Sequence, residues 1–592
     1  MVTYRDLHTL KRSEFTEAAR GWREISNRGR IATEQVDNEM KAKVRQQRGE
    51  TAGAAMRDLT TLSENFLYTQ AECGVIAAHL EQLADDLAAP RGKLKRALDE
   101  ASAHGLTVDD EGAVSYPSGK NESGQSYESG RFPAMPPTQL FDPQFLLGPA
   151  LAKVPHVRKA LEIAGDIGSA VSEADAIDQR CSRVLARLKT TAGLRVTAKM
   201  WHDTEKDIKA AGSTVDADDI PRDKSPAANA KWWKGLSAAE QDAYVSVHPA
   251  AVGALDGLPA AVRDDANRLV LNGQHADASL ALQAHTAKEP VKYRMDMASQ
   301  NGPSPAWTAW NKEREALKSK LGVLSQLKDP YAGKKDVPEH KQLYILGLDT
   351  QGDGKAAVAM GNPDTADHTA VHVPGTGTTL ESTPGQLERI GKLQDSAMRN
   401  TSGGESVSTI LWLGYDAPEI DGSVATPGRA HDAAADLRSF TEGTRTAHED
   451  GRSHLTVLGH SYGSTAVGAA ASGGPGLGAD DLVFVGSPGT TVENAKDLQM
   501  DPTHVWAGAT PQDPIPRAAA DLTLGKNPAV EDFGAQPLEV NDGGHSSYWE
   551  EGQKSLINQG KVIAGAPATT GPYYTPKQVE LGPDGHTPII QD

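Results

Sequence analysis

Cysteine is almost missing from this 592-residue chain: Cys73 and Cys181 are its only two. That excludes a disulfide framework and a cysteine-built zinc site. Both occupy apolar positions of helical patterns, so buried thiols are expected, with a single bridge as the open alternative. No apolar run reaches the length needed to cross a bilayer, and the opening "MVTYRDLHTLKRSEF" lacks the apolar core of a general secretory signal. A cytoplasmic protein is the expectation. An excess of positive charge is also lacking, since 60 Lys and Arg face 79 Asp and Glu for a net charge of -19. That sign opposes nucleic acid or an anionic membrane as partner. Aromatic residues make up only 5%, which gives little support for a large lipid-facing surface.

What is present falls into two textures. From Leu59, apolar residues recur at Leu62, Phe66, Cys73, Ile76, Leu80, Leu83 and Leu87 in steps of three and four, with Thr69 polar. This heptad seam predicts a long helix packed against a partner. The upstream stripe of Phe15, Ala18, Trp22, Ile25, Val36, Met40 and Val44 supplies that partner, broken near Gly29, with "QQRGETAG" around Gly49 as the turn of an antiparallel hairpin. Pro90 opens a further amphipathic segment, and "LTVDDEGAVSYP" reads as a small β-hairpin. Residues 116–143, rich in Gly, Ser and Pro, read as a linker or an irregular crossover. A second long helix is expected through Ala164, Ile167, Val171, Ala174, Cys181, Val184 and Leu188, joining the first hairpin in one elongated helical bundle ahead of the α/β part. Ser237 with Glu240 forms a capping box, and Trp232 and Trp233 read as an anchor between domains.

After about residue 340 short apolar strands alternate with helices: "LYILGLD", "KAAVAMG", "TAVHVPG", "STILWLGY", "LTVLGH", "LVFVGS" and "HVWAGA". Such alternation builds a mostly parallel sheet covered on both faces, with its site at the carboxyl ends of the strands. The chain therefore divides into a helical hairpin domain with its β-hairpin (1–115), a linker and second long helix (116–230), a helical connector (231–340), an α/β catalytic domain (341–565) and a tail (566–592).

The stretch "LTVLGHSYGSTAVGAAA" carries the chemistry. A strand, the turn Gly459-His460-Ser461-Tyr462-Gly463 and a small-residue helix follow in that order, as in a nucleophile elbow, where side chains at the two glycines would collide with neighbouring elements. A bare G-x-S-x-G is more often a loop, so the rest of a hydrolase has to be found around it. In the layout Ser, then acid, then His, "HVWAGATPQDPIP" offers Asp513 after a strand, and "LEVNDGGHSSYW" offers His545 behind two glycines. Asp416 and Asp542 compete for the acid; His460, His504 and His372 compete for the base. The oxyanion hole would use the amide of Tyr462 and that of Thr376 in "HVPGTGTTL", where Gly375 lets the backbone approach. "GTGT" lacks the Lys-Ser/Thr ending of a phosphate loop, so neither a cofactor nor a metal is implied. The expected reaction is cleavage of a carboxylic ester, of a small molecule or a lipid, through an acyl-serine.

"LWLGYDAP", "VLGHSYGS", "FVGSPG", "HSSYW" and the upstream "GLPAAVRDDANR" together resemble the actinobacterial α/β-hydrolase family known as a domain of unknown function. The resemblance spans about residues 230–560 and implies an α/β-hydrolase fold with a helical region ahead of it, and Ser461, Asp513 and His545 as triad. It brings no substrate. The N-terminal hairpin resembles the WXG-type (ESX-like) helical modules of type VII secretion, and "YTQAE", Tyr68 to Glu72, fits the Y-x-x-x-D/E pattern of such substrates. Its turn reads Gln47-Arg48-Gly49, without the tryptophan. Three functions follow as alternatives: a serine esterase or lipase; a non-catalytic binding or secretion-associated protein that self-associates or meets its partner through the N-terminal helices; and an acyltransferase.

Overall fold

The stripe that begins at Phe15 forms helix α1 (Arg12–Glu34) in the computed structural model, continuing through a π-helical turn at Gln35–Met40 to Arg45. The structure describes residues 1–120, 124–136, 154–188, 195–211, 215–293, 302–330, 338–449, 451–518, 523–575, 579–581 and 588–590. Gly49, at φ 103°, turns the chain back into α2 (Glu50–Asp86), which completes the antiparallel hairpin. The interruption of the stripe near Gly29 falls within one continuous helix, which packs through Ala19, Ser26, Gly29, Thr33 and Val36, whereas Trp22, Ile25 and Met40 of the predicted stripe are exposed. A Cβ at Gly29 would stand 2.9 Å from the Phe66 carbonyl oxygen and 3.2 Å from the Gln70 nitrogen, so the glycine serves the close approach of α2 and leaves α1 intact; the irregularity comes six residues later, at the π turn.

Helices α3 (Ala88–Ala103), α4 (Pro155–Leu185), α5 (Ala198–Ala211), α6 (Pro226–Gly235), α7 (Ala238–Val247), α8 (Ala260–Thr286) and α9 (Pro305–Lys328) follow. The Ser237 capping box is present, with Glu240 Oε2 accepting from the Ser237 amide at 2.7 Å. Helix α2 buries far more than the predicted seam, including Tyr68, Gln70 and Glu72, because α1, α4, α5 and α7 all pack on it. This takes in both ends of the Y-x-x-x-E pattern. The Glu72 carboxylate accepts from Thr204 at 2.6 Å, Tyr68 meets Trp201 edge-on, and burial raises the Glu72 pKa. In the folded chain the pair belongs to the core rather than to a surface signal.

The predicted linker is partly ordered sheet. Thr107–Val108, Val114–Tyr116 and Gly130–Phe132 form a three-stranded antiparallel sheet, and Gly119–Lys120 pairs with Ser126–Tyr127. Glycines there are strand residues with a purpose: Tyr116 covers Gly130 and Tyr127 covers Gly119 at distances a Cβ would not allow. Residues 121–123 and 137–143 of that stretch lie outside the described residues.

All seven predicted strands form. With β1 (Leu343–Asp349), β2 (Lys355–Met360), β3 (His368–Val373), β4 (Val407–Leu413), β5 (His454–His460), β6 (Asp481–Val485), β7 (Val505–Gly508) and a short β8 (Gln536–Pro537), the sheet runs β8-β7-β6-β5-β3-β4-β2-β1. Only the β1–β2 and β2–β4 pairs are antiparallel. Helices α10 (Thr383–Met398), α11 (Gly428–Ala447), α12 (Tyr462–Ser472) and α13 (Lys554–Ile563) cover it. Alternate residues of each strand face opposite layers: Val371, Val457 and Phe484 pack towards Leu437, Phe440 and Val467, while Ala370, Leu458 and Val483 pack towards Leu393, Leu556 and Ile563. Consecutive connections leave β3 and β5 in opposite directions, which opens a crevice at their carboxyl ends. Among the described residues no helix is long and apolar enough to cross a membrane.

Each edge of the sheet is capped in part by something other than a full strand. On β1, three side chains of α8 on one helical face replace a neighbouring strand: Asp264 accepts from the Ile345 amide at 2.7 Å, Asn267 donates to the Ile345 carbonyl at 2.9 Å, and Arg268 donates to the Leu343 carbonyl at 3.1 Å. On β8, the segment around Thr569–Gly571 pairs back with Pro537 and Glu539. The start of α8 is held from the sheet side, where Asp364, between β2 and β3, accepts from the Ala260 amide at 2.5 Å. Burial pushes the Asp364 pKa up to about 6 although the amide bond opposes it, with Glu449 adding to the rise. A carboxyl raised above its unfolded value gives stability that is full below the unfolded pKa and lost as pH climbs through the folded one. Relative to Asp364→Asn, the wild-type protein is expected to lose on the order of 3 kcal/mol between pH 4 and pH 7, read as the difference in urea midpoints at the two pH values.

Candidate active site

The turn after β5 is an elbow in geometry. Ser461 sits at φ 55°, ψ -132°, a conformation that non-glycine residues hold only under external constraint. The constraint is visible. The Ser461 amide donates to the Val485 carbonyl at 3.2 Å and its carbonyl accepts from Ser464 at 2.9 Å. A Cβ on Gly459 would stand 2.6 Å from Ser464 Cα, and one on Gly463 would overlap the Val373 carbonyl oxygen. The glycines on both sides of Ser461 are therefore required by β3 and α12, as the motif suggests. Tyr462 is the first residue of α12, so its amide has no acceptor within the helix.

The loop after β3 lies directly on this turn. A Cβ on Gly375 would stand 2.6 Å from Ser461 Cβ and 3.0 Å from the Tyr462 nitrogen. Thr376 follows, half-buried. The loop is pinned on both sides of it: Tyr415 donates to the Pro374 carbonyl at 2.7 Å, and the Gly377 amide donates to the Pro418 carbonyl at 2.9 Å.

Asp513 and His545 meet, 32 residues apart in sequence. Both carboxylate oxygens lie 2.9 Å from His545 Nδ1. Asp513 is fully buried, while the His545 side chain keeps 28% of its surface exposed, so the pair runs from a sealed acid to an accessible ring. The Ile515 amide donates to Asp513 Oδ1 at 2.9 Å, an Asx turn that Pro514 favours. Gly486, in "FVGSPG", makes room for both: at φ 59°, a Cβ there would stand 2.8 Å from Asp513 Oδ2 and 3.2 Å from His545 Cε1.

The competitors lie elsewhere or face inward. Asp416 pairs with Arg429, and Asp542 is exposed. His504 bonds Asp481 at the opposite end of the strands. His372 is buried with its Nε2 unpartnered; burial and the nearby Arg389 lower its pKa to about 3. His460 points away from the crevice, its Nε2 donating to the His545 carbonyl at 3.1 Å, its ring 4.6 Å from that of His545 and edge-on to Trp549. Burial, then His545, Arg389 and His372, hold its pKa well below the usual histidine range, so it is a neutral donor. Arg389 lies over the Trp549 ring at 4.4 Å.

Sequence reasoning missed Tyr548. Its hydroxyl donates to Asp513 Oδ2 at 2.7 Å and accepts from the Thr510 amide at 3.1 Å, and burial together with the Asp513 charge raises its pKa. Its only signal was its place three residues after His545 in "HSSYW".

Comparison with known proteins agrees with this architecture. A family model described as alpha/beta hydrolase matches residues 349–523. An uncharacterized protein of Mycobacterium tuberculosis is 28% identical over 381 residues, 57% of this chain and 55% of that protein, so the chain spans about half the length of that relative. An uncharacterized protein of Mycobacterium bovis is 32% identical over 196 residues, 32% of this chain and 71% of that protein.

Proposed function

Because the chain belongs to the alpha/beta hydrolase family, we propose that it is a serine hydrolase cleaving carboxylic esters, with Ser461 as nucleophile, His545 as general base and Asp513 as the acid that orients it. The observations that carry the reading are the fully buried Asp513 with both oxygens on His545 Nδ1 and a serine held at positive φ. Bonded to a carboxylate at Nδ1, the imidazole presents an unprotonated Nε2, which takes the Ser461 proton as Oγ attacks the ester carbonyl. The negative charge that develops on the carbonyl oxygen is met by the amides of Tyr462 and Thr376. Collapse expels the alcohol, which receives the proton from His545, and water then cleaves the acyl-serine by the same route. Labelling of the wild-type chain by a fluorophosphonate, and its loss on replacing Ser461, tests the assignment.

The oxyanion part has its own test. In Gly375→Ala the new methyl meets Ser461 Cβ and the Tyr462 nitrogen, so the loop has to retreat and take the Thr376 amide with it. The expected result is a fall of roughly a hundredfold in labelling rate, with a thermal melt showing the fold retained. An unchanged rate would remove Thr376 from the assignment.

A further inference from the structure

Tyr548 is fully buried, and none of the steps above uses it. It lies in the short turn Ser547–Trp549, so the segment that carries His545 reaches the same carboxylate a second time, through a phenol three residues on. We infer that Tyr548 is a positioning residue of the hydrolytic centre: its hydroxyl fixes the rotation of the Asp513 carboxylate and sets how much negative charge that group presents to His545. The inference rests on the serine-hydrolase reading.

The geometry gives the reason. Oδ1 is held by the Ile515 amide and Oδ2 by the Tyr548 hydroxyl, and His545 Nδ1 lies 2.9 Å from both. Two donors on opposite oxygens leave the carboxylate one orientation about its last torsion. Without the phenol, Oδ2 would have the imidazole as its remaining partner and the group could turn. The donor itself is fixed, since the Thr510 amide occupies the other side of the phenol oxygen. A strong donor on Oδ2 also draws charge away from the side facing His545. The other groups on the pair are His460, against the His545 ring, with His372 and Arg389 behind it. They stay constant when only position 548 changes.

A tyrosine that merely fills the core with its hydroxyl satisfied would affect folding alone. The distinguishing readout is the pH dependence of fluorophosphonate labelling of the full chain. Tyr548→Phe is expected to label about tenfold more slowly at the plateau, with the acidic limb moved to higher pH by about half a unit, because a fuller charge on Asp513 holds the imidazolium more firmly. Tyr548→3-fluorotyrosine, a stronger donor of nearly the same shape, is expected to move the limb to lower pH. Limbs that coincide in wild type and variants would overturn the inference. A folded wild type that does not label would overturn the hydrolase reading instead. Should the phenylalanine variant fail to fold, the fluorotyrosine protein decides the matter by the direction of its shift.

Discussion

Replacing Ser461 by alanine is expected to abolish fluorophosphonate labelling and to lower p-nitrophenyl ester hydrolysis by roughly 10⁴ or more. The size follows from losing covalent catalysis, because a pocket that can still bind substrate and polarise its carbonyl retains only what its amides supply. The substitution is mild for the fold. Ser461 is held through its own backbone and by the glycines on either side, and alanine is smaller, so the variant should melt close to wild type. The experiment separates the hydrolase from a protein in which the helical half does the work and the sheet is only a carrier. Equal activity in wild type and Ser461→Ala would place the chemistry on another residue. An acyl-length series with the wild type then narrows the substrate.

Asp513→Asn should cost nearly as much while leaving the serine in place. An asparagine amide has one acceptor oxygen and one NH₂ where the carboxylate has two acceptors. Here Oδ1 receives the Ile515 amide, Oδ2 receives the Tyr548 hydroxyl, and His545 lies against both. Turned one way, its NH₂ faces the Ile515 amide; turned the other, it faces a phenol oxygen that already accepts from Thr510 and whose proton then loses its acceptor. An acceptor turned towards Tyr548 leaves the NH₂ beside His545, which favours the wrong imidazole tautomer and takes away the base. We expect ester turnover to fall by about 10³ to 10⁴, with a stability loss of about 1–3 kcal/mol for the buried mismatch. Labelling kinetics and a denaturation curve on the same protein read the two effects separately. Turnover within a factor of a few of wild type would mean that His545 takes its orientation from elsewhere.

Much of this was legible in the chain because the signals are local. Strands β1 to β7 show as short apolar runs between turn residues, and the elbow shows because the two glycines it needs stand two residues to either side of Ser461. Asp513 and His545 were readable through order along the chain rather than through contact. Contacts between distant residues are where reading failed. Nothing near Tyr548 announces that its hydroxyl meets a carboxylate 35 residues earlier. A heptad seam reports one buried face of α2, whereas α4, expected in the same bundle, and also α5 and α7 pack on it beside α1. The apolar stripe misleads at Trp22, Ile25 and Met40, which are exposed, because α1 meets α2 through the small residues Ala19, Ser26 and Gly29, which apolar periodicity does not mark.

The stapling of β1 by α8 has a consequence for how the sequence can vary. Where two strands pair, almost any residue supplies the bonds, since they come from the backbone. Along Leu343 and Ile345 they come from Asp264, Asn267 and Arg268, so ordinary drift at three positions of a connecting helix can strip the strand bare. A bare, apolar outer strand is a template for its own copies. These three side chains therefore act together as one constraint on the sequence: a change at any of them leaves a backbone group of the outer strand without its partner.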